Sequence, residues 1–223
     1  MNLSSKNKKY IDSVLEDRTL VWLYPALETG QSVCKEFFKL NEEFFNCPDY
    51  INSVPGHLLS YSINKQIIEQ GKLPLFPFKI HKEIINNRNS YAIPFMRKDN
   101  ITISLLRCQK RFKIDDCDKK YLKLKCSTNK KLDPQIPLFI DEYQDNKIEP
   151  LHGVLLYSMA KGFEGISFAD IVFFDDTLTH NYYFINLLEK LHVYESASST
   201  KENRKNLLDP KDIIKDFKKE SEV

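Results

Sequence analysis

The sequence predicts a three-layer α/β fold in which helices cover both faces of a doubly wound, Rossmann-like parallel sheet. Three observations point there. The hydrophobic runs around 19–24, 153–157 and 168–174 are apolar at consecutive positions, as in strands covered on both sides. Amphipathic segments at helical spacing separate the runs. The last run, IVFF, ends in two adjacent carboxylates, Asp175 and Asp176, where α/β folds keep their sites.

The elements follow in order. Residues 7–17 place Tyr10, Ile11, Val14 and Leu15 on one side of a short helix. A buried strand is expected at 19–24 and stops at Pro25. A helix over 31–46 carries Val33, Phe37, Phe38, Phe44 and Phe45 on its apolar side, and another over 62–71 closes at Gly71. Pro77 opens a segment, 77–88, with Phe78, Ile80, Ile84 and Ile85 at helical spacing; the strand Tyr91–Met96 and a helix at about 99–112 come next. KYLKLKCST (120–128) alternates as a surface strand would, and IPLFI (136–140) is a short apolar run. Strands at 153–157 and 168–174 flank a loop containing Lys161 and Gly162, and a helix is expected over 180–191. The polar, lysine-rich tail from 196 onward contains DPKDIIKDFKKE, a potential terminal helix striped by Ile213, Ile214 and Phe217. Residues 1–195 are thus expected as one domain and 196–223 as its tail.

Composition narrows the function classes. The chain of 223 residues fits one domain, with 42% hydrophobic residues to build a core. Its 33 basic and 31 acidic side chains nearly cancel to a net charge of +2, without the concentrated basic character of a nucleic-acid binder. Cys34, Cys47, Cys108, Cys117 and Cys126 show no zinc-ligand spacing and read as free thiols in a reducing compartment. The polar opening lacks the apolar core of a secretory signal, and no run is long enough to span a bilayer. A cytoplasmic protein is expected, and signal-independent export is compatible with the same residues.

The pair at 175–176 carries the sharpest chemical signal. Two adjacent carboxylates at a buried strand end need a compensating cation, and Mg²⁺ suits one or two carboxylates with water and phosphate oxygens. The alternative is structural, with Asp176 or Thr177 capping the next helix and Asp175 in a turn. Lys161 could hold a phosphate or lie solvated on the surface. Asp116 and Asp118, within DDCD, have DxD spacing but no buried strand feeding them, and read as a solvated turn. Of the histidines, His57, His81, His152, His180 and His192, only His180 lies beside candidate chemistry.

Four segments in order resemble the haloacid dehalogenase superfamily of phosphohydrolases, nearest to a group of mostly uncharacterised bacterial members. YIDSVLEDRTLVWLYPALET is similar to the helix and strand of the first motif, and FKIHKEIINNRNSYAIPFMRK to the approach to the second. HGVLLYSMAKG resembles the third motif and DIVFFDDTLTHNYYF the metal-binding fourth. The resemblance spans roughly 7–192 and implies a cap-like insertion at about 31–73. It places the nucleophilic aspartate at Tyr24, the acid/base aspartate at Ala26 and the second-motif hydroxyl on or beside Phe95. Lys161, Asp175 and Asp176 match the pattern. A phenol with an ordinary pKa of about 10 and a methyl group do not replace two carboxylates. The resemblance therefore implies a degenerate, catalytically inactive member, or pseudophosphatase, that needs no cofactor and retains at most weak Mg²⁺ binding. It would bind a partner protein or a small phosphorylated ligand. The alternatives are an Mg²⁺-dependent phosphatase or phosphotransferase whose nucleophile is rearranged to Asp141 or Glu142, and a secreted bacterial effector or interaction protein.

Overall fold

The computed structural model describes residues 5–45, 54–86, 91–114, 119–132, 150–160 and 163–198. Its centre is a single six-stranded sheet whose spatial order is the chain order. The strands are β1 (Lys79–Asn86), β2 (Tyr91–Lys98), β3 (Ile101–Arg107), β4 (Leu151–Met159), β5 (Ile166–Phe174) and β6 (Asn181–Asn186). The β3–β4 pair is parallel, and the other four pairs are antiparallel. The fold is thus α/β with a mixed sheet, where a parallel sheet was expected.

The helices are α1 (Ser5–Val14), α2 (Asp17–Leu20), α3 (Leu23–Leu40), α4 (Glu42–Phe45), α5 (Val54–Gln70), α6 (Lys119–Cys126) and α7 (Leu187–Ser198), with a 3-10 helix at Ser127–Leu132. The chain at 19–24 is therefore helical, not a strand. Leu20 and Leu23 there, and Ala26 and Leu27 just beyond, are all fully buried, and they recur at intervals of three and four. Pro25 lies in the first turn of α3, where no intrahelical N–H bond is lost, so it accompanies a helix start rather than a strand end.

Four other elements differ from expectation. Residues 77–88 hold β1, whose isoleucines favour an extended chain as readily as they mark a helix face. The helix expected at 99–112 is β3. Lys98 pairs with Ile101, so Asp99 and Asn100 form a two-residue hairpin turn, with Asp99 at φ 48°. The alternating KYLKLKC segment is helical, burying Leu122 and Cys126 one turn apart while Leu124 faces water. The first half of 180–191 is β6, and α7 begins only at Leu187.

Both faces of the sheet are covered. On one face Met96, Ile103, Leu155, Ile171 and Phe173 join a core with α1, α2, α3, α5 and α7. On the other, Leu106, Val154, Leu156, Val172 and Phe174 pack with Leu122 and Cys126 of α6. Full burial of each such side chain contributes roughly 1.5–3 kcal/mol. Alternate residues of β4 and β5 serve opposite cores, which explains their unbroken hydrophobic runs. Cys34, Leu59, Ile63 and Ile67, within the segment expected as a cap, belong to the same core as the sheet.

Candidate functional site

The acidic pair opens the β5–β6 connection. Phe174 pairs with Asn181, and a tight turn at 175–180 reverses the chain, with Leu178 at φ 62° and its side chain tucked into the second core. The Asp175 carboxylate organises this turn. One oxygen accepts the backbone N–H groups of Thr179 (3.1 Å) and His180 (3.2 Å). The other accepts the Thr177 hydroxyl at 2.6 Å and lies 3.5 Å from His180 Nδ1. Burial alone would raise the Asp175 carboxyl pKa, but these hydrogen bonds outweigh it and hold the group below its ordinary value. Asp176 pairs with Lys130 of the 3-10 helix at 2.8 Å. A magnesium ion at this pair would compete with the turn's own donors for the lone pairs of Asp175 and with Lys130 for Asp176. Among the described residues, no group of three or more His, Cys, Asp or Glu side chains is placed to hold a metal.

The other expected positions lie elsewhere. Tyr24 and Ala26 stand in the first turns of α3, with Tyr24 partly buried and Ala26 fully buried in the core. Gln70 at the end of α5, with its amide oriented to satisfy both neighbours, donates to the Trp22 carbonyl oxygen (2.9 Å) and accepts the Ala26 N–H (3.1 Å). That carbonyl and that N–H are the two ends of the first intrahelical step of α3, so Gln70 bridges the start of the helix. Phe95 is fully buried on the opposite face of the sheet, beneath the Lys125 ammonium, which sits 4.9 Å from its ring centre. Lys161, the DDCD turn, Asp141, Glu142 and the expected terminal helix lie outside the described residues.

Sequence reasoning passed over a polar cluster on the α6 face of the sheet. His81, Phe95, Ser104 and Val154 share one cross-strand row, with His152 two residues before Val154 on β4. Glu83 of β1 binds Lys125 at 2.5 Å and His81 at 3.0 Å. Those two bonds outweigh the burial that would raise its pKa, so its carboxyl also stays below the ordinary value. Deeper in, His152 is 2% exposed and its Nε2 pairs with the Ser104 hydroxyl at 3.0 Å. Asn129 clasps the His152 backbone, accepting its N–H and donating to its carbonyl oxygen, both at 2.8 Å. The same amide nitrogen reaches the Phe174 carbonyl oxygen at 2.8 Å. Burial, with Lys125 adding to it and Glu83 opposing, lowers the imidazole pKa to about 3. No sequence spacing could have announced this group, because parallel pairing joins Ser104 and His152 across 48 positions.

The same face holds an ion pair. Asp170, fully buried in β5, accepts two bonds from Arg111, each 2.6 Å long. The guanidinium lies over the rings of Phe112 (5.1 Å) and Phe184 (5.7 Å). Such a pair is saturated by its own partners and suits a structural role.

Comparisons with family models, with curated proteins and with solved structures found no match to the chain.

Proposed function

We propose that the chain is a non-catalytic binding module that does not carry out phosphoryl transfer. The observation that carries this reading is the use made of Asp175, whose two carboxylate oxygens are engaged in holding the turn at 175–180. A metal ion or a substrate would compete with those donors for the lone pairs of the same carboxylate. The burial of Ala26 inside α3 adds support, since a group there cannot exchange protons with a substrate. A partner protein or a small phosphorylated ligand is the class of target this reading assigns. Its finer form, a degenerate haloacid dehalogenase-like protein, rests on the sequence pattern of DIVFFDDTLTHNYYF. The helix over Leu23–Leu40 and the antiparallel pairing of β4 with β5 weigh against that finer form.

An assay of phosphate release from p-nitrophenyl phosphate with millimolar Mg²⁺ tests the reading. The expected rate is the buffer background for both the natural chain and Asp175→Ala. Magnesium-dependent turnover that disappears in Asp175→Ala would sink it.

A further inference from the structure

We propose that His152 makes the layer formed by α6 and the 3-10 helix an acid-sensitive cover. At mildly acidic pH this layer lifts from the sheet and uncovers the apolar face made by Leu106, Val154, Leu156, Val172 and Phe174. The inference stands on how the cluster is built and does not depend on the proposed function.

The imidazole is enclosed between β3, β2 and the layer above it. Ser104 meets its Nε2, the Phe95 ring centre is 5.9 Å away, and Asn129 clasps its backbone. A second ring proton would place a cation in this enclosure. The charged groups acting on it are Lys125 from α6, which opposes that cation, and Glu83 from β1, which favours it. Glu83 is already shared between Lys125 and His81. Arg97 of β2 stands in the same cross-strand row as Thr102 and His152, and its Nε bonds the Asp99 carbonyl oxygen. β3 presents Ser104, the 3-10 helix presents Asn129, and neither is ionisable. An imidazolium in this place is relieved only by admitting water or by removing Lys125. Lifting the layer does both.

The layer is also the weaker of the two attachments around the ring. β3 and β4 are joined by a ladder of seven paired positions, Ile101–Leu151 through Arg107–Tyr157. Beyond its apolar contacts, the ties of the layer among the described residues include the Asn129 clasp, the Lys125–Glu83 pair, the exposed Lys130–Asp176 pair and a hydrogen bond of Cys126 with the Phe174 backbone. Protonation beneath the clasp acts on the first of these ties and relieves repulsion when the second departs. The surface released this way is apolar at these five residues, and the Asp170–Arg111 pair stands beside it, opposite Leu156 in the ladder.

Peptide-resolved hydrogen exchange of the full chain, corrected for intrinsic rates, tests the proposal between pH 7.5 and pH 5.0. Protection of residues 119–132 should fall about tenfold per pH unit below about 6.5, the signature of one proton taken up by an ordinary imidazole in the open state. Peptides from α3 and α5 should keep their protection over that range. His152→Gln should remove the acid response, and His81→Gln should leave it in place. Unchanged protection of 119–132 at pH 5.0 overturns the proposal. So does its loss in step with α3 and α5, its persistence in His152→Gln, or its disappearance in His81→Gln. If His152→Gln fails to fold, the slope in the natural chain and the His81→Gln result decide the matter.

Discussion

Asp170 shows how strongly a single buried charge depends on its partner. Its side chain is fully buried in β5, and both oxygens go to Arg111, whose own side chain is 43% exposed. Removing one member of a buried pair typically costs 3–5 kcal/mol, because the remaining charge is stranded. The half-exposed guanidinium places Arg111→Ala nearer the lower end, at about 3 kcal/mol. Replacing both residues by leucine should cost clearly less, since apolar groups of similar size leave no stranded charge. Urea unfolding of the two variants checks this. A double variant less stable than Arg111→Ala would contradict it. Asp175 works at the same scale by another route, with its carboxylate serving the backbone donors of a turn that carries Leu178 into the second core.

At the scale of elements, the packing of α3 on α5 turns on Gly30. A Cβ there would lie 2.5 Å from Ile63 Cγ1, 2.9 Å from its Cα and 3.0 Å from its backbone nitrogen. An exposed helix glycine gains about 1 kcal/mol on replacement by alanine. Overpacking against backbone atoms costs typically 1–3 kcal/mol, and a backbone cannot rotate aside as a side-chain tip can. Gly30→Ala should therefore lose up to about 2 kcal/mol, measured as a lower urea midpoint with an unchanged slope. A stabilised variant would mean that the two helices are free to separate.

The elements also show what the sequence could tell. Burial on both faces was legible in GVLLY and ADIVFF, because consecutive apolar residues report coverage on two sides. They do not report strand direction, so the same runs that correctly indicate a covered sheet misled about its parallel order. The strand at 19–24 failed for a related reason. A short apolar run fits a buried helix as well as a strand, and only burial at intervals of three and four separates them. Asp99 and Asn100 were an available turn signal between two short strands, where a helix was expected at about 99–112. For the acidic pair, the turn reading of Asp175 was legible beside the metal reading. What the sequence could not supply is the placement of the Thr179 and His180 N–H groups on that carboxylate, which composition does not encode.

The molecule as a whole is built on one covered sheet with two cores, and the segment at 18–30 belongs to its framework. Helix α3 buries Leu23, Ala26 and Leu27 and accepts Gln70 at its start, so these residues serve stability. On the proposed reading, Asp175 serves its turn and binds no metal. Thermal unfolding of the natural chain and of Asp175→Ala, each with and without 10 mM MgCl₂, tests it most directly. A site with a dissociation constant of about 0.1 mM would add about 2.7 kcal/mol at that concentration. For a chain of this size, that shifts the midpoint by about 5–10 °C. The natural chain should show no magnesium shift, and the midpoint of Asp175→Ala should be lowered by a few degrees, equally with and without the metal. A rise of about 5–10 °C with magnesium in the natural chain, absent from Asp175→Ala, would contradict that reading.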